Sequence, residues 1–128
     1  MKKKLLMGLA SVFVLAACGN GATEESDTIK LGGNFELSGG ASAYGTLMDE
    51  GIKMAVAEQN AADGLLGKEI EYVSYDNKSE PSESTSVATR LATEDNVVAI
   101  LGPATTGAAN AQSPAVTRAK VPAILPAA

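Results

Sequence analysis

Histidine and tryptophan are absent from this chain of 128 residues, and cysteine occurs once, at Cys18. Without histidine the chain lacks the commonest general base near neutral pH and the commonest ligand of transition metals, which excludes most hydrolase and metalloenzyme chemistries. A single cysteine builds neither an internal disulfide framework nor a cysteine metal cluster. Basic residues are also scarce: Lys and Arg number 10 against 15 Asp and Glu. Discounting Lys2, Lys3 and Lys4, which precede an apolar leader, leaves seven basic against fifteen acidic residues, a balance of −8. An acidic surface repels phosphate backbones, so nucleic acid is not expected as a partner. Neither Gly-x-Gly-x-x-Gly after the first strand nor Gly-x-x-x-x-Gly-Lys-[Ser/Thr] occurs, which argues against an enzyme on a nucleotide-binding sheet. No catalytic residue, metal ligand or cofactor is expected.

The leader is the most informative segment that is present. After the three lysines an apolar run extends from Leu5 to Ala16. It is too short to span a bilayer and ends in small residues, as a secretory signal does. The quartet Leu15-Ala16-Ala17-Cys18 resembles the lipobox of bacterial lipoproteins. That resemblance implies a signal peptide over residues 1–17 and a Cys18 that carries diacylglycerol and palmitate-type chains as the mature N-terminus. Two acyl chains anchor stably where one is marginal, at about 0.8 kcal/mol per buried CH₂. An uncleaved anchor, or an ordinary signal with a chance cysteine, is the competing reading. From Gly19 to Thr28 no apolar side chain exceeds alanine, so residues 18–28 read as a mobile tether. The implied location is the extracytoplasmic face of the cell membrane, held by the lipid.

Residues 29–128 have the length of one small domain. Ile29 to Phe35 reads as a strand, and Gly45 to Ala62 as a helix with Met48, Ile52, Ala55 and Val56 at helical spacing and Asp49, Glu50, Lys53 and Glu58 mostly elsewhere. Gly64 closes that helix and Gly67 turns the chain. Glu69 to Tyr75 alternates as a strand, and Pro81 opens a helix whose stripe is Val87, Ala88, Leu91 and Ala92. Val97 to Leu101 is a continuous apolar run of the kind buried on both faces of a parallel sheet. Thr105 and Thr106 offer hydroxyl caps to a third helix ending near Arg118, and Val121 to Leu125 forms a fourth short strand. The order β-α-β-α-β-α-β predicts an α/β fold with a parallel sheet and right-handed crossovers.

Ligands of such sheets sit beyond the carboxyl ends of the strands. Three segments fall there: Glu36 to Tyr44, Gly102 to Gly107, and Pro126 to Ala128. Thr105 and Thr106 place hydroxyls beside unpaired N–H groups at a helix start, which suits a carboxylate. A threonine there also serves simply as a cap, and the two roles are compatible. Glu36 and Asp76 are the acids best placed for chemistry, and both read as solvated or loop-organising.

Ser38-Gly39-Gly40-Ala41-Ser42-Ala43-Tyr44-Gly45, Asn60 to Lys68, Tyr75-Asp76-Asn77, Leu101-Gly102-Pro103 and Leu125-Pro126-Ala127-Ala128 together resemble the branched-chain amino-acid binding proteins. These are extracytoplasmic receptors of ABC importers with the type I periplasmic-binding fold. The resemblance implies that residues 29–128 form part of the N-terminal lobe, and that the receptor delivers an amino acid to an ABC permease and its ATPase subunits. It makes Thr106, where the family usually has serine, the hydroxyl that receives the ligand carboxylate. Ala127 and Ala128 match residues whose backbone groups hold the carboxylate and ammonium, and Tyr44 matches an aromatic at the cleft; a half-buried loop tyrosine is its plainer reading. The family has a second lobe, which supplies the acidic partner of the ammonium, so the chain reads as an N-terminal fragment, marginal and aggregation-prone alone. Relatives that bind amides, urea or aromatic acids keep another small solute open as the ligand.

Overall fold

The computed structural model describes residues 27–127. The signal-peptide and Cys18 lipidation readings, and the role given to Ala128, lie outside the described residues. Four strands form one parallel sheet in the order β2-β1-β3-β4. Strand β1 (Thr28–Phe35) pairs along its whole length with β2 (Glu69–Asp76), from Thr28 beside Glu69 to Phe35 beside Asp76. On its other side β1 pairs with β3 (Ala99–Leu101), which pairs with β4 (Ala123–Ile124). Helices α1 (Ser42–Ala61), α2 (Pro81–Thr93) and α3 (Thr106–Ala119) are the crossovers. The expected alternation of strands and helices holds, and Thr28, read as tether, is instead the first residue of the sheet.

The chain leaves β1 toward β2 on one side and returns to β3 on the other. With right-handed crossovers this puts α1 on one face of the sheet and α2 with α3 on the opposite face. Adjacent glycines of β1 mark the two faces, Gly32 lying under Leu91 and Val97, and Gly33 under the Tyr72 ring. The apolar core is on the α2/α3 face: Val87, Ala88, Leu91, Val97, Ile100 and Val116. Of the predicted stripe of α2, Val87, Ala88 and Leu91 are buried and Ala92 is half-buried, and Ser84 extends the buried face by a turn.

Helix α1 departs from its predicted stripe. Its buried residues are Gly45 and Asp49, whereas Met48, Ile52 and Val56 are half-buried and Ala55 is exposed. An acid is tolerated inward here because both carboxylate oxygens are partnered: the Tyr72 hydroxyl donates to one at 2.8 Å and Lys53 pairs with the other at 2.6 Å. Burial first, then the hydrogen bond to Asp49 and its charge, push the Tyr72 phenol far above its ordinary pKa. The run from Val97 to Leu101 is likewise not buried on both faces. Val97 and Ile100 are enclosed, but Val98 is 56% exposed and Leu101 lines an open apolar groove with Leu31, Ile52, Val56 and Ile70. Among the described residues no helix is long and apolar enough to cross a membrane.

Candidate functional site

The strand order reverses between β1 and β3, and the crevice of a parallel sheet opens at the carboxyl ends of such a pair. Gly33 sits beside Leu101, so the segments leaving β1 and β3 run side by side. Glu36 joins them. It is fully buried, and it accepts hydrogen bonds from Ala104 N–H at 3.0 Å, Thr105 N–H at 3.2 Å and the Thr105 hydroxyl at 2.7 Å. The first turn of α1 lies against this joint. A Cβ on Gly45 would collide with the Glu36 backbone carbonyl, so only glycine permits the approach.

Two further devices hold the crevice. At its rim Asp76 accepts from the N–H groups of Leu37, Ser38 and Lys78 and from the Ser38 hydroxyl, at 2.6–3.1 Å. Burial opposes ionisation of Asp76, but these bonds, led by the one from Ser38, outweigh it and hold its carboxyl below the usual aspartate range. The Ser79 hydroxyl donates to Ser38 O and accepts from Ala41 N–H, tying the loop after β2 to the loop after β1. Beneath the crevice lies a buried amide network. The Asn34 side-chain amide donates to Ser84 and to Gln112 Oε1 at 2.9–3.0 Å and accepts from Asn77 at 3.1 Å. Gln112 Nε2 then donates to Gly102 O at 2.8 Å. Gly102 has φ +92° and backs onto the Asn34 carbonyl, which again requires glycine.

The threonines thereby receive different roles. Thr105 is the N-cap residue of α3 with extended backbone, yet its side chain makes no cap bond. The cap expectation is corrected: the Thr105 hydroxyl is turned to Glu36, to which it donates, and not to the helix N–H groups from which a capping oxygen would accept. Thr106 is the first helical residue and is exposed; its hydroxyl makes no hydrogen bond to another described residue. The first helical bond at this end runs from Ala109 N–H to Thr105 O at 2.9 Å, so the N–H groups of Thr106, Gly107 and Ala108 have no acceptor within the helix. Together with the helix dipole they form a donor cluster for an anion.

Tyr44 is 67% exposed and sits in the first turn of α1, which corrects its placement in a half-buried loop; it adjoins the crevice through Gly45. Ala127 is exposed beyond β4, whose Ile124 O accepts from Gly102 N–H at 2.8 Å. Glu36 is loop-organising as expected, but it is enclosed rather than solvated. Asn34, Ser84 and Gln112 were not anticipated as parts of the site. Ser84 with Val87, Ala88 and Leu91, and Gln112 with Ala109 and Val116, occupy helical spacings, so a polar residue on an apolar stripe was the available signal. No group of three or more potential metal-ligating side chains occurs among the described residues.

A family model described as periplasmic binding protein matches residues 28–128. The Leu/Ile/Val-binding protein homolog 2 of Brucella abortus is 33% identical over 102 residues, covering 80% of this chain and 26% of that protein. The branched-chain amino acid transporter substrate binding protein LivJ from Streptococcus pneumoniae, solved in complex with isoleucine, is 52% identical with a TM-score of 0.77, over 78% of this chain and 29% of that one. A solute binding protein of an ABC transporter from Rhodopseudomonas palustris, solved with 3,4-dihydroxy benzoic acid, is 34% identical with a TM-score of 0.73, over 80% of this chain and 28% of that one. The chain thus spans 26–29% of the length of these three proteins. On the match across residues 28–128, it belongs to the periplasmic binding protein family.

Proposed function

We propose that this chain contributes part of the N-terminal lobe of an extracytoplasmic receptor that binds branched-chain or related amino acids for an ABC importer. In this reading residues 1–17 are a signal peptide, Cys18 carries the lipid that holds the protein at the membrane, residues 18–28 are mainly tether, and residues 29–128 are lobe. The observation that carries it is the first turn of α3, where the exposed Thr106 and Gly107 bring a hydroxyl and N–H groups without a helical acceptor to a turn clamped behind by Glu36 and Gln112. A buried amino acid needs donors for its carboxylate and acceptors for its ammonium. Thr106 and its neighbours supply the donors. Ala127 and Ala128 would add backbone groups and Tyr44 an aromatic wall, with the remaining contacts coming from a second lobe. Closure over the ligand would exclude water and strengthen these bonds, giving a closed form that docks on the permease and its ATPase subunits. No step of this cycle requires catalysis.

Isothermal calorimetry on the full-length protein with isoleucine tests the reading. Wild type should bind, and Thr106→Ala should weaken binding by about 1–3 kcal/mol through loss of one hydrogen bond to a charged group; unchanged affinity would remove Thr106 from the site. A second reading, a receptor for an aromatic or other small acid, is favoured by the likeness to the protein solved with 3,4-dihydroxy benzoic acid. Binding of that acid in place of isoleucine would select it.

A further inference from the structure

Helix α1 starts without a capping side chain of its own: its N-cap residue is Ala41, and no side chain bonds its first turn as a cap. What holds that turn comes from another loop. The Ser79 hydroxyl accepts from Ala41 N–H at 3.1 Å and donates to Ser38 O at 2.7 Å, and Ala41 O in turn accepts from Tyr44 N–H at 3.0 Å and Gly45 N–H at 3.2 Å. Asp76 pins the chain just upstream. One of its oxygens collects the N–H groups of Leu37, Ser38 and Lys78, and the other takes the Ser38 hydroxyl proton. The loop that carries Ser79 is itself held in an uncommon shape. Lys78 and Ser79 have φ of +57° and +63°, and bonds from their N–H groups to the Asp76 and Asn77 side chains fix them there. Tyr44 sits in the turn so fixed and is largely exposed, so its place is set by its backbone and not by packing of its ring.

We propose that Asp76 and Ser79 are positioning residues for ligand binding: they set the place of Tyr44 by holding the loop from Leu37 to Ala41, and with it the start of α1, before any ligand arrives. The inference rests on the amino-acid reading above, in which Tyr44 is a wall of the crevice. A loop that must be ordered on binding takes its ordering entropy out of the affinity, whereas a loop ordered beforehand does not. Neither Asp76 nor Ser79 touches the ligand. Their effect passes through hydrogen bonds to a loop thirty-eight residues earlier in the chain. Three of the four bonds to Asp76 converge on one oxygen. An amide oxygen accepts from the same direction, so the role belongs to the geometry of that acceptor and not to its charge.

The test is calorimetry with isoleucine on the full-length protein, with circular dichroism to establish folding. Asp76→Ala should weaken binding about tenfold, as the loss of a prearranged loop would. Asp76→Asn keeps an oxygen for the three N–H groups and should recover most of that loss. Ser79→Ala removes a single hydroxyl, stands in should Asp76→Ala not fold, and should weaken binding about threefold. The deciding comparison is made in a Tyr44→Ala background. There Asp76→Ala and Ser79→Ala should change the affinity by less than about twofold, because the side chain they position is gone, whereas in a Thr106→Ala background each should keep its full effect. Equal losses with and without Tyr44, which a merely structural role produces, overturn the inference. So do wild-type affinity in Asp76→Ala and Ser79→Ala, and a loss in Asp76→Asn as large as that in Asp76→Ala. If wild type does not bind isoleucine, the amino-acid reading fails and the inference falls with it.

Discussion

On the α2/α3 face of the sheet, six apolar side chains close over one another from Val87 to Val116, and the polar groups among them, Asn34, Ser84 and Gln112, are buried and hydrogen-bonded. On the α1 face the helix buries a glycine and an aspartate, and the apolar residues between helix and sheet line a groove open to the surroundings. Both faces belong to the same four strands, so strand propensity does not explain the difference. The closed face has two helices packed on each other as well as on the sheet, while the open face has one. A helix pair removes more apolar surface from water than a single helix can, and only a dry interior makes each unpaired polar group costly. The closed face is therefore where polar residues must be fully partnered, and those partners reach the loops that form the crevice.

The comparison can be broken by substitution, measured as chemical denaturation of the full-length protein. Leu91→Ala on the closed face should have the largest effect, about 2–5 kcal/mol, because it removes a fully buried side chain and leaves a cavity. Gln112→Leu should cost about 1–3 kcal/mol by stripping Gly102 O and Asn34 of a partner. It should also weaken isoleucine binding by releasing the turn before α3, whereas Leu91→Ala should leave binding intact wherever the protein is folded. An effect of Gln112→Leu on stability alone would detach the network from the site.

Smaller effects sharpen the same contrast. Asp76 has a folded pKa below its ordinary value, so its hydrogen bonds stabilise the fold fully above the ordinary aspartate pKa, and this contribution is lost as pH falls through the lower folded value. Asp76→Asn should flatten that part of the acid limb in melting temperature against pH, and an acid limb identical to wild type would mean that the Ser38 and Leu37 bonds do not hold Asp76 ionised. Ile52→Ala on the open face should cost least, under about 1 kcal/mol, since the side chain is only half-buried. A loss as large as that of Leu91→Ala would show that the open groove is covered in the full-length protein.

Period, turn chemistry and apolar run length were enough to read the alternation of strands and helices. Pro81 opens α2, and Gly64 closes α1 by donating to Gln59 O at 2.9 Å. These signals are local, carried by residues within one turn of each other. The inward side of α1 was not legible because its determinant is remote: Asp49 faces inward only because Tyr72, twenty-three residues later, supplies a hydroxyl to meet it. Val97 to Leu101 misled for a related reason, since an apolar run records that burial is favourable and not how many helices exist to provide it.

The candidate site divides along the same line. Its position at the ends of β1 and β3, and the threonines that open α3, followed from sequence order, because a β-α-β alternation with right-handed crossovers leaves few ways to place those loops. The division of labour between Thr105 and Thr106 did not follow, because side by side in sequence they are chemically alike. It was decided by Glu36, sixty-nine residues before Thr105, whose buried oxygen takes one hydroxyl proton and leaves the next hydroxyl free. A hydroxyl can donate only one proton, so which threonine keeps its proton uncommitted is settled by a tertiary contact.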